Sequence, residues 1–156
     1  MREIDAIDFF KELCKKHGYR PIPFGFNNRK AVLGLTHVEY DKPTKITISK
    51  HYLKQGTDQE IKETIIHEFA HMVDLYQRGY SDHGQKFKEL CKSFGIDGKA
   101  TKETSFEMFA YHIKCSKCNK IVDRLYRLSK KYKERVETER YKSSCCREKL
   151  YIIKRG

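Results

Sequence analysis

Hydrophobic residues recur at helical steps in three stretches of the chain and alternate with polar ones in others. Ile4, Ile7, Phe10, Leu13 and Cys14 make one apolar stripe, which predicts an amphipathic helix over residues 3–17, ended by Gly18. Pro21 and Pro23 keep the following stretch extended. Residues 31–38 and 45–49 read as short strands, the second alternating Ile46 and Ile48 with Thr47 and Ser49. Asp41-Lys42-Pro43 is the turn signal between them, so a hairpin is expected.

The longest helical pattern follows. Thr57-Asp58-Gln59-Glu60 is a capping box, in which the Thr57 hydroxyl accepts from the Glu60 amide and Glu60 reaches back. Ile61, Ile65, Phe69, Met72 and Val73 form the stripe of a helix that runs to about Arg78 and is closed by Gly79. A further helix is expected from about Asp82, with Gln85 completing a second box and Phe87, Leu90, Cys91 and Phe94 facing inward; Gly95 stops it. Residues 96–105 read as a loop and 106–113 as a short apolar segment. At Cys115-Ser116-Lys117-Cys118 the composition changes, which puts a domain boundary near residue 112.

Charge sharpens that boundary. The net charge is +12, and residues 114–156, with 15 Lys/Arg and 5 Asp/Glu, carry most of it. Such a segment is either a solvated, solubilising tail or a surface for a polyanion, and nucleic acid is the favoured partner. Tyr126, Tyr132, Tyr141 and Tyr151 lie among the cations, a mixture suited to base stacking beside phosphate contacts, although tyrosines on a small sheet give the same pattern. No apolar run approaches the ~20 residues of a membrane span. Met1-Arg2-Glu3-Ile4-Asp5 does not read as a secretion signal, so the expected compartment is cytoplasmic, or nucleoid-associated or nuclear if the chain is DNA-bound. Six cysteines in a reducing compartment point to metal rather than disulfides.

The chemistry centres on His67-Glu68-Phe69-Ala70-His71. Two histidines at i and i+4 project from one face of a helix at a spacing that suits one zinc ion. Glu68 beside them can act as a general base. A catalytic zinc needs a third protein ligand and an open position. His83, twelve residues after His71 and past Gly79, is the leading candidate; Asp74 and Asp82 are rivals. Metzincin spacing would put the third histidine at Gln77 and a glycine at Asp74, so that pattern does not apply. A closed structural site would need a fourth ligand; Cys91 is available only if it leaves its apolar stripe.

These segments resemble a known family. His67-Glu68-Phe69-Ala70-His71 followed by Asp82-His83-Gly84-Gln85-Lys86-Phe87 is similar to SprT-like (Spartan-type) metalloproteases, and Ile46 to Leu53 resembles the strand that precedes their metal helix. The resemblance spans residues 1–113 by pattern and is specific over 41–95. It implies an α+β fold with a zincin-like (minimal gluzincin-type) domain, in which His67, His71 and His83 hold a catalytic zinc and Glu68 activates a zinc-bound water for peptide hydrolysis. Eukaryotic relatives act on proteins bound or crosslinked to DNA, which implies a protein substrate; single- or double-stranded DNA is expected to bind through residues 114–156, and the chain is expected to be a monomer.

The family also carries a C-terminal zinc ribbon built from two CxxC pairs. Cys115 and Cys118 match the first pair, but Ser143 stands where the third cysteine belongs; Cys146 matches the fourth, and adjacent Cys145 is the substitute. His112 is the alternative, giving a Cys₃His site. Residues 113–156 are thus expected as a basic zinc-ribbon-like segment holding a second, structural zinc. Residues 124–140, with Arg124, Arg127, Lys130, Lys131, Lys133, Arg135 and Arg140, would project from it as an extended hairpin or arm. Two other functions compete with the protease: a DNA-binding adaptor whose zincin domain is catalytically idle, and a zinc hydrolase with a non-protein substrate.

Overall fold

The computed structural model describes residues 1–99, 104, 106, 107 and 109–155, in two compact units, Met1–Phe106 and Glu107–Gly156. Residue 112, where the composition changes, lies in the second of these units, whose first strand begins at Tyr111. Parts of the loop expected over 96–105 and of the segment 106–113 lie outside the described residues.

In the first unit, helix α1 (Glu3–Lys16) leads to strand β1 (Phe24–Asn27), the hairpin β2 (Gly34–Glu39) and β3 (Lys42–Ser49), then helices α2 (Lys50–Gln55), α3 (Asp58–Arg78) and α4 (Gln85–Ser93). The sheet order is β1-β3-β2, with β1 parallel and β2 antiparallel to β3. Ile46 and Ile48 of the central strand share one buried core with Phe10 and Leu13 of α1 and Ile61, Ile65, Phe69 and Met72 of α3. Fully burying each such side chain contributes about 1.5–3 kcal/mol. The capping box at the head of α3 is formed: Thr57 Oγ1 accepts from Glu60 N at 3.2 Å, and Glu60 Oε2 from Thr57 N at 2.8 Å. Gly79 closes the helix at φ 75°, a left-handed turn that costs glycine least.

Four local expectations change. The hairpin turns on Tyr40 and Asp41, both with positive φ, and Lys42 and Pro43 belong to β3. A two-residue loop of that kind matches the twist of the paired strands, and Pro43 sits opposite Val38, next to a bulge, where a missing amide is tolerated. Phe24 to Asn27, read only as extended, is a true strand. Lys50 to Leu53 begin helix α2 rather than prolong the strand, because Ser49 Oγ accepts from Tyr52 N at 3.3 Å and Tyr52 is fully buried. Helix α4 starts at Gln85 with Gly84 as its cap, and the second capping box does not form. Asp82 Oδ1 instead accepts from Gly84 N at 3.0 Å and from Arg78 at 3.1 Å.

The second unit is an antiparallel sheet, β5-β4-β6, from β4 (Tyr111–Cys115), β5 (Ile121–Leu125) and β6 (Leu150–Lys154). The extended hairpin or arm expected over 124–140 instead contains a short helix, α5 (Lys130–Glu137). Ser129 caps it, Val136 is buried, and the Tyr132 hydroxyl donates to Asp123 of β5 at 2.9 Å. Those contacts hold the segment against the sheet. No helix among the described residues is long and apolar enough to cross a membrane.

Candidate metal centre and its cleft

Helix α3 sets His67 and His71 one turn apart, and the turn after Gly79 returns His83 to the same point. The three Nε2 atoms lie 3.2 Å from one another. A tetrahedral zinc with Zn–N distances of about 2.0–2.1 Å separates its nitrogen ligands by about 3.3–3.4 Å, so the triangle fits one such ion. Burial, with His67 and His83 adding like charge, pushes the His71 imidazolium down to about 3. It therefore presents a neutral ring. Phe87, fully buried, touches all three imidazoles, with ring centroids 5.1, 4.2 and 5.2 Å from those of His67, His71 and His83. Asp74 and Asp82 are not in the triangle, and neither is Cys91, which is buried among Ala70 and Phe87.

Glu68 sits beside the triangle, 6% exposed. The Thr36 hydroxyl donates to Glu68 Oε2 at 2.7 Å and lies 3.0 Å from the Glu68 carbonyl oxygen. Burial raises the Glu68 carboxyl to about 7, against the lowering effect of that hydrogen bond. A carboxyl poised there can both accept and return a proton near neutral pH. Strand β2 makes the opposite wall of a cleft of about 490 Å³, lined by Gly34, Leu35, Thr36 and Val38 on one side and by the histidines, Glu68 and Leu75 on the other. Tyr80 also lines this cleft, and its hydroxyl accepts from Arg78 Nη1 at 3.2 Å. Tyr76 stacks on Tyr19, and His51 lies on α2.

Sequence reasoning did not single out Gly34, Thr36, Ser81 or the role of Phe87. Gly34 matters for space: a Cβ there would lie 2.8 Å from Glu68 Cγ, 2.9 Å from Oε1 and 3.0 Å from Thr64 Cγ2. Only the absence of a side chain lets β2 approach the carboxylate. Ser81 Oγ lies 2.7 Å from His71 Nδ1 and donates to Asp74 Oδ2 at 2.8 Å.

The cysteines form a separate cluster in the second unit. The Sγ atoms of Cys115, Cys118, Cys145 and Cys146 lie within 4.8 Å of one another, a set that could hold a metal ion. Two similar turns build it. Asn119 N donates to Cys115 O at 2.9 Å with φ 59° at Asn119, and Arg147 N donates to Ser143 O at 2.9 Å with φ 57° at Arg147. Ser143 therefore occupies the place matching Cys115, and Cys146 the place matching Cys118. The missing thiol is supplied by Cys145, whose Sγ is 3.4 Å from that of Cys118. Ser143, 1% exposed, accepts from the amides of Cys146 at 3.3 Å and Glu148 at 3.0 Å. Its hydroxyl also helps draw the Cys115 thiol down to about 6. His112 is not in the cluster; its ring pairs with Glu107.

Gly34→Ala is expected to destabilise the chain by about 1–3 kcal/mol through overpacking against Glu68. Urea unfolding of Gly34→Ala, Glu68→Ala and the double variant checks this: the Gly34→Ala cost should shrink once Glu68 is truncated. Strictly additive effects would place the strain elsewhere.

The SprT-like family profile matches residues 8–112. Two curated relatives, each named "Protein SprT-like", come from Streptococcus pneumoniae strain CGSP14 and from Streptococcus pneumoniae serotype 4 strain ATCC BAA-334 / TIGR4. Each is 26% identical over 130 residues, covering 75% of this chain and 83% of the relative. No solved structure matches. The matched segment holds β2, the histidine triangle and Glu68, and it takes in two thirds of the chain: this protein belongs to the SprT-like family.

Proposed function

We propose that the chain is a zinc-dependent endopeptidase of SprT type with a zincin-like catalytic unit, acting on DNA-associated proteins. The observation that carries the reading is the convergence of the His67, His71 and His83 nitrogens beside a buried carboxylate in one open cleft. Zinc held by these three residues would polarise a peptide carbonyl and acidify a water. Glu68 would take the proton at Oε1, since Oε2 is engaged by Thr36, and return it to the departing amine. Among the described residues strand β2 pairs only with β3, and its other edge would take an extended substrate segment. Such pairing would lay the backbone of an unfolded stretch across the cleft without reading its side chains.

The second unit is proposed to localise this activity. Residues 114–156 carry a net charge of +10 and would bind DNA through phosphates without reading sequence. Tethering raises the local concentration of proteins on the same DNA. Base stacking contributes less than the composition implies: Tyr132 and Tyr141 pack on each other, Tyr126 packs on Phe109, and the Tyr151 hydroxyl bonds Asn119. The cysteine cluster would hold the second, structural zinc. The work is placed in the cytoplasm, or at the nucleoid or in the nucleus when DNA is bound.

Glu68→Gln should keep its zinc and its DNA affinity while cleavage of a DNA-bound protein falls by about 10²–10⁴-fold. Cleavage by neither wild type nor variant, with or without DNA, would leave a zinc-containing adaptor as the better description. Metal analysis should find two zinc ions per chain and one after Cys115→Ser; one ion in both removes the second site. DNA affinity should fall steeply between low and physiological salt, and a flat response would reject the role given to residues 114–156.

A further inference from the structure

His71 reaches the triangle with one ring nitrogen and a hydrogen-bonded chain with the other. Asp74, 2% exposed, receives the Arg78 guanidinium on both oxygens, at 2.6 Å from Nε and 2.6 Å from Nη2. Asp74 Oδ2 also accepts from Ser81 Oγ at 2.8 Å, and that oxygen lies 2.7 Å from His71 Nδ1. Arg78 extends the chain to Asp82 Oδ1 at 3.1 Å, next to His83.

Proton counting gives the chain a direction. A serine hydroxyl has one proton to donate and two lone pairs to accept with. Both Asp74 oxygens already accept from Arg78, so toward Ser81 the carboxylate is an acceptor, and the hydroxyl proton is committed to it. Ser81 Oγ can then only accept from His71, which places the ring proton on Nδ1. A neutral imidazole carries one N–H, so Nε2 is left with a bare lone pair, aimed at the Nε2 atoms of His67 and His83.

We propose that Ser81 and Asp74 are positioning residues that set the tautomer of His71, while Arg78 ties the turn bearing Ser81 and His83 to the end of α3. The inference rests on reading the three histidines as metal ligands only for its consequence; the tautomer itself belongs to the metal-free chain. Without the Ser81 acceptor, the proton is free to move to Nε2 and block the site, and ligands of this kind lose about 10- to 100-fold in metal affinity when their outer partner is removed. Arg78 has a structural part as well, since its guanidinium lies 4.4 Å from the Tyr80 ring centroid. Ser81 is therefore the cleaner position to vary.

The test uses the full chain, stripped of metal and labelled with ¹⁵N, with His71 assigned by His71→Gln. Two-bond ¹H–¹⁵N spectra should show the Nδ1–H form of His71 in the wild type and in Ser81→Thr, and a shift toward Nε2–H in Ser81→Ala. Zinc alone, titrated against a chelating indicator, should bind about 10- to 100-fold more weakly to Ser81→Ala at the step that His83→Ala abolishes, with Ser81→Thr restoring it. An Nε2–H His71 in the wild type overturns the proposal, and so does a Ser81→Ala chain with unchanged tautomer and affinity. If Ser81→Ala does not fold, the wild-type spectrum still decides. A wild type with Nδ1–H at His71 but no zinc step sensitive to His83→Ala would overturn the metal reading and leave the tautomer assignment standing.

Discussion

The rotation of α3 about its own axis is the constraint on which the first unit depends. Ile61, Ile65, Phe69 and Met72 are fully buried against α1 and β3, and together they fix which way the helix faces. Consecutive helical residues differ by about 100° in direction, so turning α3 by one position would lift much of that stripe into water. With the stripe set, the remaining directions follow. His67 and His71 face the cleft, and Glu68, the next residue round, is pressed beneath β2. The core thus aims the site, and Phe87 of α4 carries the same apolar packing up to the imidazole rings themselves.

The polar groups drawn inward by that packing are each answered by a hydrogen-bond partner. Glu68 is met by Thr36 of β2, and Asp74 by Arg78 and by Ser81 of the following turn. In the second unit Ser143 is met by the amides of its own knuckle. Among the described residues, no buried side-chain nitrogen or oxygen lacks a partner. Leaving such a group unpaired costs about 1–3 kcal/mol, so these bonds discriminate against neighbouring arrangements more than they add stability. They also hold the cleft walls at defined separations, which a site that works by geometry requires.

The second unit solves a different problem. Its buried apolar residues are few, Ile113, Cys115 and Val136 among them, and a unit this small gains little from burial alone. Two matched turns and four converging thiols suit a metal staple in place of a larger core. At the second turn the Ser143 hydroxyl takes the amide hydrogen bonds, and the thiol of neighbouring Cys145 reaches the cluster.

What the sequence by itself determined lies within a few residues of chain. The stripe and cap of α1 and α3, the closing turn at Gly79, the i, i+4 histidines and the first CxxC knuckle all depend on partners one turn away, and each can be read as a string. The return of His83 was also legible, because a short helix–turn–helix leaves few places for it to go. Only the tertiary structure decided the rest. Thr36 and Glu68 are 32 positions apart, and Gly34 is needed because of a carboxylate on another element. Helix α5 exists because Tyr132 and Val136 find a sheet to pack on, where composition alone implied a solvated arm. Asp82 was drawn from a helix cap to Arg78 by a partner on the preceding helix. Local hydrogen bonds and side-chain periodicity are encoded next to where they act, whereas close approach, burial and the choice between two competing partners arise only once distant segments share the same space.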